Sequence, residues 1–149
     1  MSGMATSKAT KEGGFTAEER AAMKERAAEL KADKGGKKKA DELQSLLDKI
    51  AEMPAEDRVI AERLHALMSK IAPDLAAKTW YGMPAYARDG KPLVFLQNAA
   101  KFGTRYCTLG FQDNAALDDG DMWPTSFAVT TWNDAVEKKV TALVRKAVG

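Results

Sequence analysis

The eight residues TWYGMPAY, Thr79 to Tyr86, bring three aromatic rings, a methionine, a glycine and a proline into one short stretch. Residues of these types do binding chemistry rather than bond-making chemistry. The rings supply flat apolar walls, and the hydroxyls of Tyr81 and Tyr86 must be hydrogen-bonded or wet. Gly82 opens dihedrals closed to other residues, and Pro84 holds Met83 extended, so the stretch reads as a fixed bend. A period of two carried through the bend puts Trp80, Gly82 and Pro84 on one side, with Tyr81, Met83 and Ala85 on the other. Lys101 and Arg105 follow where a turn or a sheet edge presents cations beside those rings. The expectation is a cleft lined by Trp80, Tyr81, Met83 and Tyr86, with Lys101, Arg105 and Trp123 at its mouth. Such a cleft suits a small anionic or aromatic ligand, or a partner's side chain. The competing reading makes the same rings the rim of a hydrophobic core.

Other chemistry is sparse. Asp113, Asp118, Asp119 and Asp121 place four carboxylates within nine residues, enough to hold a hard cation loosely, although the spacing is not that of a calcium loop. A solvated loop is the plainer reading. The single cysteine, Cys107, has no internal disulfide partner and no basic or histidine neighbour in the sequence to activate it, which marks a structural residue. The single histidine, His65, lies about 120° from the centre of its helix's apolar stripe, at a boundary or surface position. Ser45, Ser69 and Ser126 sit in no nucleophile motif, and neither a phosphate-cradling glycine loop nor metal-ligand spacing is present. The residues offer no catalytic constellation; an acid–base pair from scattered carboxylates stays open.

At 149 residues, 45% hydrophobic and 30% charged, the chain suits one domain with a tail. No apolar run approaches the roughly 18 residues that span a bilayer. The start, MSGMATSKATKEGGF, lacks the apolar segment of a secretory signal and reads as disordered, so a cytoplasmic location is expected. Residues 1–40 hold ten Lys/Arg against six Asp/Glu, a net of +4, while residues 41–149 hold thirteen against fifteen. The excess sits in KADKGGKKK, Lys31 to Lys39, which has no interleaved aromatics for stacking on bases and reads as a solvated linker. The expected partners are therefore an unknown small molecule or protein, with neither membrane nor nucleic acid, on a monomer or weak homodimer.

The elements that must position these residues follow from periodicity. FTAEERAAMKERAAELKA, Phe15 to Ala32, opens with a capping box at Thr16 and Glu19, then runs through strong helix formers. Its apolar stripe is thin, so residues 1–39 form a leader whose helix is docked lightly or not at all, with Gly35-Gly36 as a joint. The domain proper covers residues 40–149. Leu43, Leu46, Leu47 and Ile50 mark one helix; Pro54 opens the next, with Ile60, Leu64, Leu67, Met68 and Ile71 on one face. Strands are expected at Lys78 to Trp80, at Ala85 to Arg88 and Pro92 to Gln97 around an Asp-Gly turn, at Thr104 to Leu109 after a turn at Lys101 to Gly103, and at Ser126 to Thr130. A final helix is capped by Thr131. One block of strands between helices predicts an α+β fold, a curved antiparallel sheet with helices packed on one face.

The run PAEDRVIAERLHALMSKIAPDLAAKTWYGMPAYARDGKPLVFLQ, with its proline-started helix, alanine-proline break, YGMP-type segment and glycine hairpin, resembles the YdhG-like family of domains of unknown function. The resemblance spans roughly Ala40 to Gly149. It implies a frataxin-like fold and, because some relatives are described as iron chaperones, an alternative role in delivering iron to cluster or haem assembly. It brings no catalytic residues. The matching helix offers Glu56, Asp57 and Glu62, diluted by Arg58, Arg63 and Lys70, which is less than an iron-binding ridge requires.

Overall fold

The computed structural model describes residues 14–34 and 39–149; the expected disordered start and Gly-Gly joint fall on residues 1–13 and 35–38, outside these. Three helices lead, α1 (Ala17–Lys34), α2 (Lys39–Ala51) and α3 (Ala55–Ile71). Strands β1 (Ala76–Trp80), β2 (Met83–Arg88) and β3 (Lys91–Gln97) follow, then the single-turn helix α4 (Ala99–Phe102), β4 (Cys107–Phe111), β5 (Ser126–Val129) and α5 (Asp134–Val148). The strands form one antiparallel meander in the order β1-β2-β3-β4-β5. The class is α+β, an open antiparallel sheet with helices against it, as the block of strands between helices implied.

Local chemistry accounts for most boundaries. The Glu19 N–H donates to Thr16 Oγ1 at 3.0 Å and the Thr16 N–H donates to Glu19 Oε1 at 2.9 Å, the reciprocal capping box. Asp89 and Gly90 both lie at positive φ, 53° and 79°, making the primed turn between β2 and β3. Several boundaries differ from the sequence-based expectation, β1 and β2 each starting two residues early, at Ala76 and Met83. Helix α5 is capped by Asn133, whose Oδ1 accepts the Val136 N–H at 2.9 Å, rather than by Thr131. The turn expected at Lys101 to Gly103 is the end of α4. Strand β4 starts at Cys107, because the Thr104 hydroxyl donates to the Tyr106 carbonyl at 2.9 Å and holds a local turn there. That strand then runs on through Gly110, over which the Phe95 ring lies so closely that a Cβ would collide with it.

The core lies between one sheet face and helices α2, α3 and α5. Leu46 and Ile50, then Leu64 and Met68, then Val140 and Val144 meet Tyr86, Val94, Leu96, Leu109, Phe111 and Val129. Register breaks between β2 and β3: Tyr86 pairs with Val94 and Ala87 with Pro92, leaving Leu93 as the extra residue of a bulge. The bulge allows Leu93 and Val94 both to join the core, where strict alternation would have turned one away. No α1 residue belongs to this core. Burial predicts a sharp contrast in stability. Leu64→Ala, at a side chain 1% exposed, should cost about 2–5 kcal/mol in urea unfolding. Met122→Ala, 89% exposed, should stay within about 0.5 kcal/mol.

Candidate functional site

Strands β1 and β2 are joined by two residues only, Tyr81 and Gly82, with Trp80 paired to Met83 across the turn. Both turn residues have positive φ, 53° and 75°. Gly82 accepts this freely, but for a bulky aromatic the left-handed region costs on the order of 1–2 kcal/mol, and asparagine would be the ordinary occupant. The two-residue turn also resets the alternation. Trp80 and Met83 share a side, and Tyr86 lies on the opposite one, so the period of two does not run through the bend.

Successive N–H groups in such a turn converge on one point and make an anion-binding concavity. Here the Tyr81 N–H donates to Glu29 Oε1 at 3.0 Å and the Gly82 N–H to Glu29 Oε2 at 2.9 Å. One carboxylate from α1 therefore takes both turn amides. Glu25, one helical turn earlier, lies against Gly82, leaving no room for a side chain there. Its carboxylate accepts from Lys49 Nζ at 2.8 Å and pairs with Lys101 Nζ. Asp33, one turn later, faces Lys78 at 3.6 Å, and Lys78 also faces Glu42 of α2 at 3.6 Å. Arg26 bonds Glu29 at 3.3 Å and sits 6.0 Å over the Tyr81 ring, which meets the Trp80 ring edge-on at 5.1 Å. The leader helix is thus docked, and by polar contacts that its thin apolar stripe did not announce.

Burial alone would raise the Glu25 pKa; the hydrogen bonds from Lys101 and Lys49 more than reverse this and lower it below the usual 4.5. The bond to Glu25 raises Lys49 above 10.5, with burial opposing. A hollow of about 250 Å³ opens beside this cluster, between Glu25, Lys49, Gly82, Asn98 and Lys101.

The expected site residues divide into four places. Tyr81 and Lys101 come together around α1, while Trp80 meets the Tyr81 and Phe95 rings and its strand partner Met83 is buried. Tyr86 is 2% exposed on the core side, where its hydroxyl and His65 Nδ1 lie 3.0 Å apart and the rings stack. Arg105 lies 5.3 Å over the Tyr106 ring and lines a separate hollow with Asp57, Cys107 and Thr130. Trp123 lines another, with Asp113, Asp118 and Asp121. Among the described residues no group of three or more His, Cys, Asp or Glu side chains is arranged to hold a metal ion. The single continuous cleft of seven residues is therefore not what the fold assembles.

Other reactive groups are engaged internally. Asp57, 7% exposed, accepts from Asn98 Nδ2 at 3.2 Å and from the Ala100 N–H at 2.9 Å, tying α3 to the start of α4. The Cys107 thiol lies 3.7 Å from the same carboxylate. Burial pushes that thiol up to about 11, with a backbone bond at Ala99 opposing and Asp57 reinforcing, so it is no nucleophile near neutrality. His65, placed at a boundary by the sequence, is half-buried, and burial lowers its pKa below 6.5. A hollow of about 790 Å³ between β5 and α5 has mainly apolar walls with Lys139, Lys146 and Ser126 among its lining residues. No helix among the described residues is long and apolar enough to cross a membrane. Compared with known proteins, the chain matches no family model, no curated protein and no solved structure.

Sequence reasoning found the turn and Lys101 but missed Glu25, Glu29, Asp33 and Lys49. The available signal was the four-residue spacing of the three acids, which puts them on one helix face.

Two measurements check this geometry. Glu29→Ala should speed hydrogen exchange at the Tyr81 and Gly82 amides about tenfold or more, since bonds to a charged acceptor are worth roughly 1.5–3 kcal/mol. The pH dependence has three edges. The lowered Glu25 pKa gives a contribution complete above pH 4.5 and lost as pH falls through its folded value. The raised Lys49 pKa gives one complete below pH 10.5 and lost as pH rises through its folded value. His65, held neutral, subtracts stability as pH drops below 6.5. The contribution of the Glu25–Lys49 pair, read as the difference in urea stability between wild type and Glu25→Gln, should therefore stay level from about pH 4.5 to 10.5, while global stability already declines below 6.5.

Proposed function

We propose that this protein is a non-enzymatic binding module that captures a carboxylate, on a small ligand or a partner's side chain, at the Tyr81–Gly82 turn. The observation that carries the reading is the pair of turn amides closing on one carboxylate, with Lys49 and Lys101 closing on the next. Two amides and two ammonium groups are the polar parts of an anion site. Tyr81 at positive φ supports it further, because strained backbone concentrates where function requires a fixed geometry. The YdhG-like resemblance stands beside this as a proposal about ancestry. It rests on the residue run quoted for it, and iron delivery remains its alternative.

The test uses the full-length chain. In Glu29→Ala the amides lose their internal carboxylate, so glutarate should shift the Tyr81 and Gly82 NMR resonances saturably at millimolar concentration. In wild type the response should be at least tenfold weaker. Adding Lys101→Ala to Glu29→Ala should weaken the response again. No saturable shift in Glu29→Ala overturns the reading, and tight ferrous iron binding by the same chain would favour the alternative instead.

A further inference from the structure

We infer that the surface beneath α1 is a recognition site for a helix bearing an acidic stripe, that α1 is its occupant in cis, and that it yields to such a helix presented by a partner protein. This rests on the carboxylate-binding reading above and extends it from one carboxylate to three. Glu25, Glu29 and Asp33 recur every four residues, one turn apart on a helix. Each meets a different donor group of the domain: Lys49 with Lys101, the Tyr81–Gly82 amides, and Lys78. Those donors come from α2, α4, the hairpin turn and β1, so the domain presents a row of positive groups matched to a helical repeat. The residues of α1 carry five acids and five bases. The stripe is read, therefore, and not net charge.

What keeps α1 in place is mainly this row. Ala22 is the one hydrophobic residue of α1 that is buried, while Met23 and Leu30 stand 41% and 45% exposed. The hydrophobic core contains no α1 side chain, so release of α1 leaves that core intact. Release costs charged contacts instead, and such contacts weaken with salt and are open to exchange with an equivalent set. Only four residues, 35–38, separate α1 from α2. That short tether gives α1 an effective concentration on the order of millimolar, which a partner helix must outcompete.

The experiment releases α1 within the full-length chain and offers its face back in trans. Glu25→Lys/Glu29→Lys places like charges against Lys49 and Lys101. The probe is a fluorescent peptide of residues 15–34, with a control in which Glu25, Glu29 and Asp33 are glutamine. By anisotropy the acidic peptide should bind the variant at least tenfold more tightly than wild type, and more weakly as salt rises. The glutamine control should bind at least tenfold more weakly than the acidic peptide. Equal binding of the two peptides overturns the inference. So does absence of peptide binding to a variant whose Tyr81 and Gly82 amides still respond to glutarate, an outcome that leaves the carboxylate reading standing. Failure of both probes removes both. If circular dichroism shows the charge-reversed chain unfolded, Glu25→Gln/Glu29→Gln replaces it under the same criteria.

Discussion

Two neighbouring amides in a tight hairpin cannot donate to the ladder that they interrupt, and something must accept from them. In this chain the acceptor is the Glu29 carboxylate, brought from fifty-two residues away by α1. That single arrangement explains why Tyr81 tolerates positive φ, why Glu25 leaves no space for a side chain at Gly82, and why a helix with almost no apolar face lies in a defined place. Hydrogen bonds to an ionised acceptor are among the stronger ones available to a backbone, and here two converge on one group.

The molecule separates what holds it together from what it presents. Its core joins three helices to one sheet face through aliphatic side chains and the bulged Leu93–Val94 pair. Tyr86 belongs to that structural half, locked by burial and by His65, and Asp57 likewise spends its carboxylate on Asn98 and Ala100. The hairpin end is different in kind. Its contacts are ionic and polar, of the kind that salt screens, and its apolar residues on α1 are largely exposed. A surface held this way can exchange its occupant without disturbing the fold beneath it.

This division also accounts for the fate of the residues with suggestive chemistry. Cys107 is silenced by burial, and of the four loop aspartates Asp113, Asp118 and Asp121 line the hollow that holds Trp123, while Asp119 does not. Arg105 leans on its own neighbour, Tyr106. What remains with converging donors is the turn and its two lysines.

The fold class, the helices at Leu46 and Leu64, the Asp89–Gly90 turn and the capping box at Thr16 were all legible in the sequence, because each depends on periodicity or on partners within a few residues. So was the peculiarity of the Trp80–Pro84 stretch. Its orientation was not: a two-residue turn and a pair of amides facing Glu29 depend on how β1 and β2 pair, and the period of two misplaced Tyr86 as a result. Nor did composition reveal that α1 docks, since its grip is a row of carboxylates whose partners lie on α2, α4, β1 and a turn. Local propensity specified the pieces; only tertiary structure, by setting distant charges a few ångströms apart, decided which of them form a site.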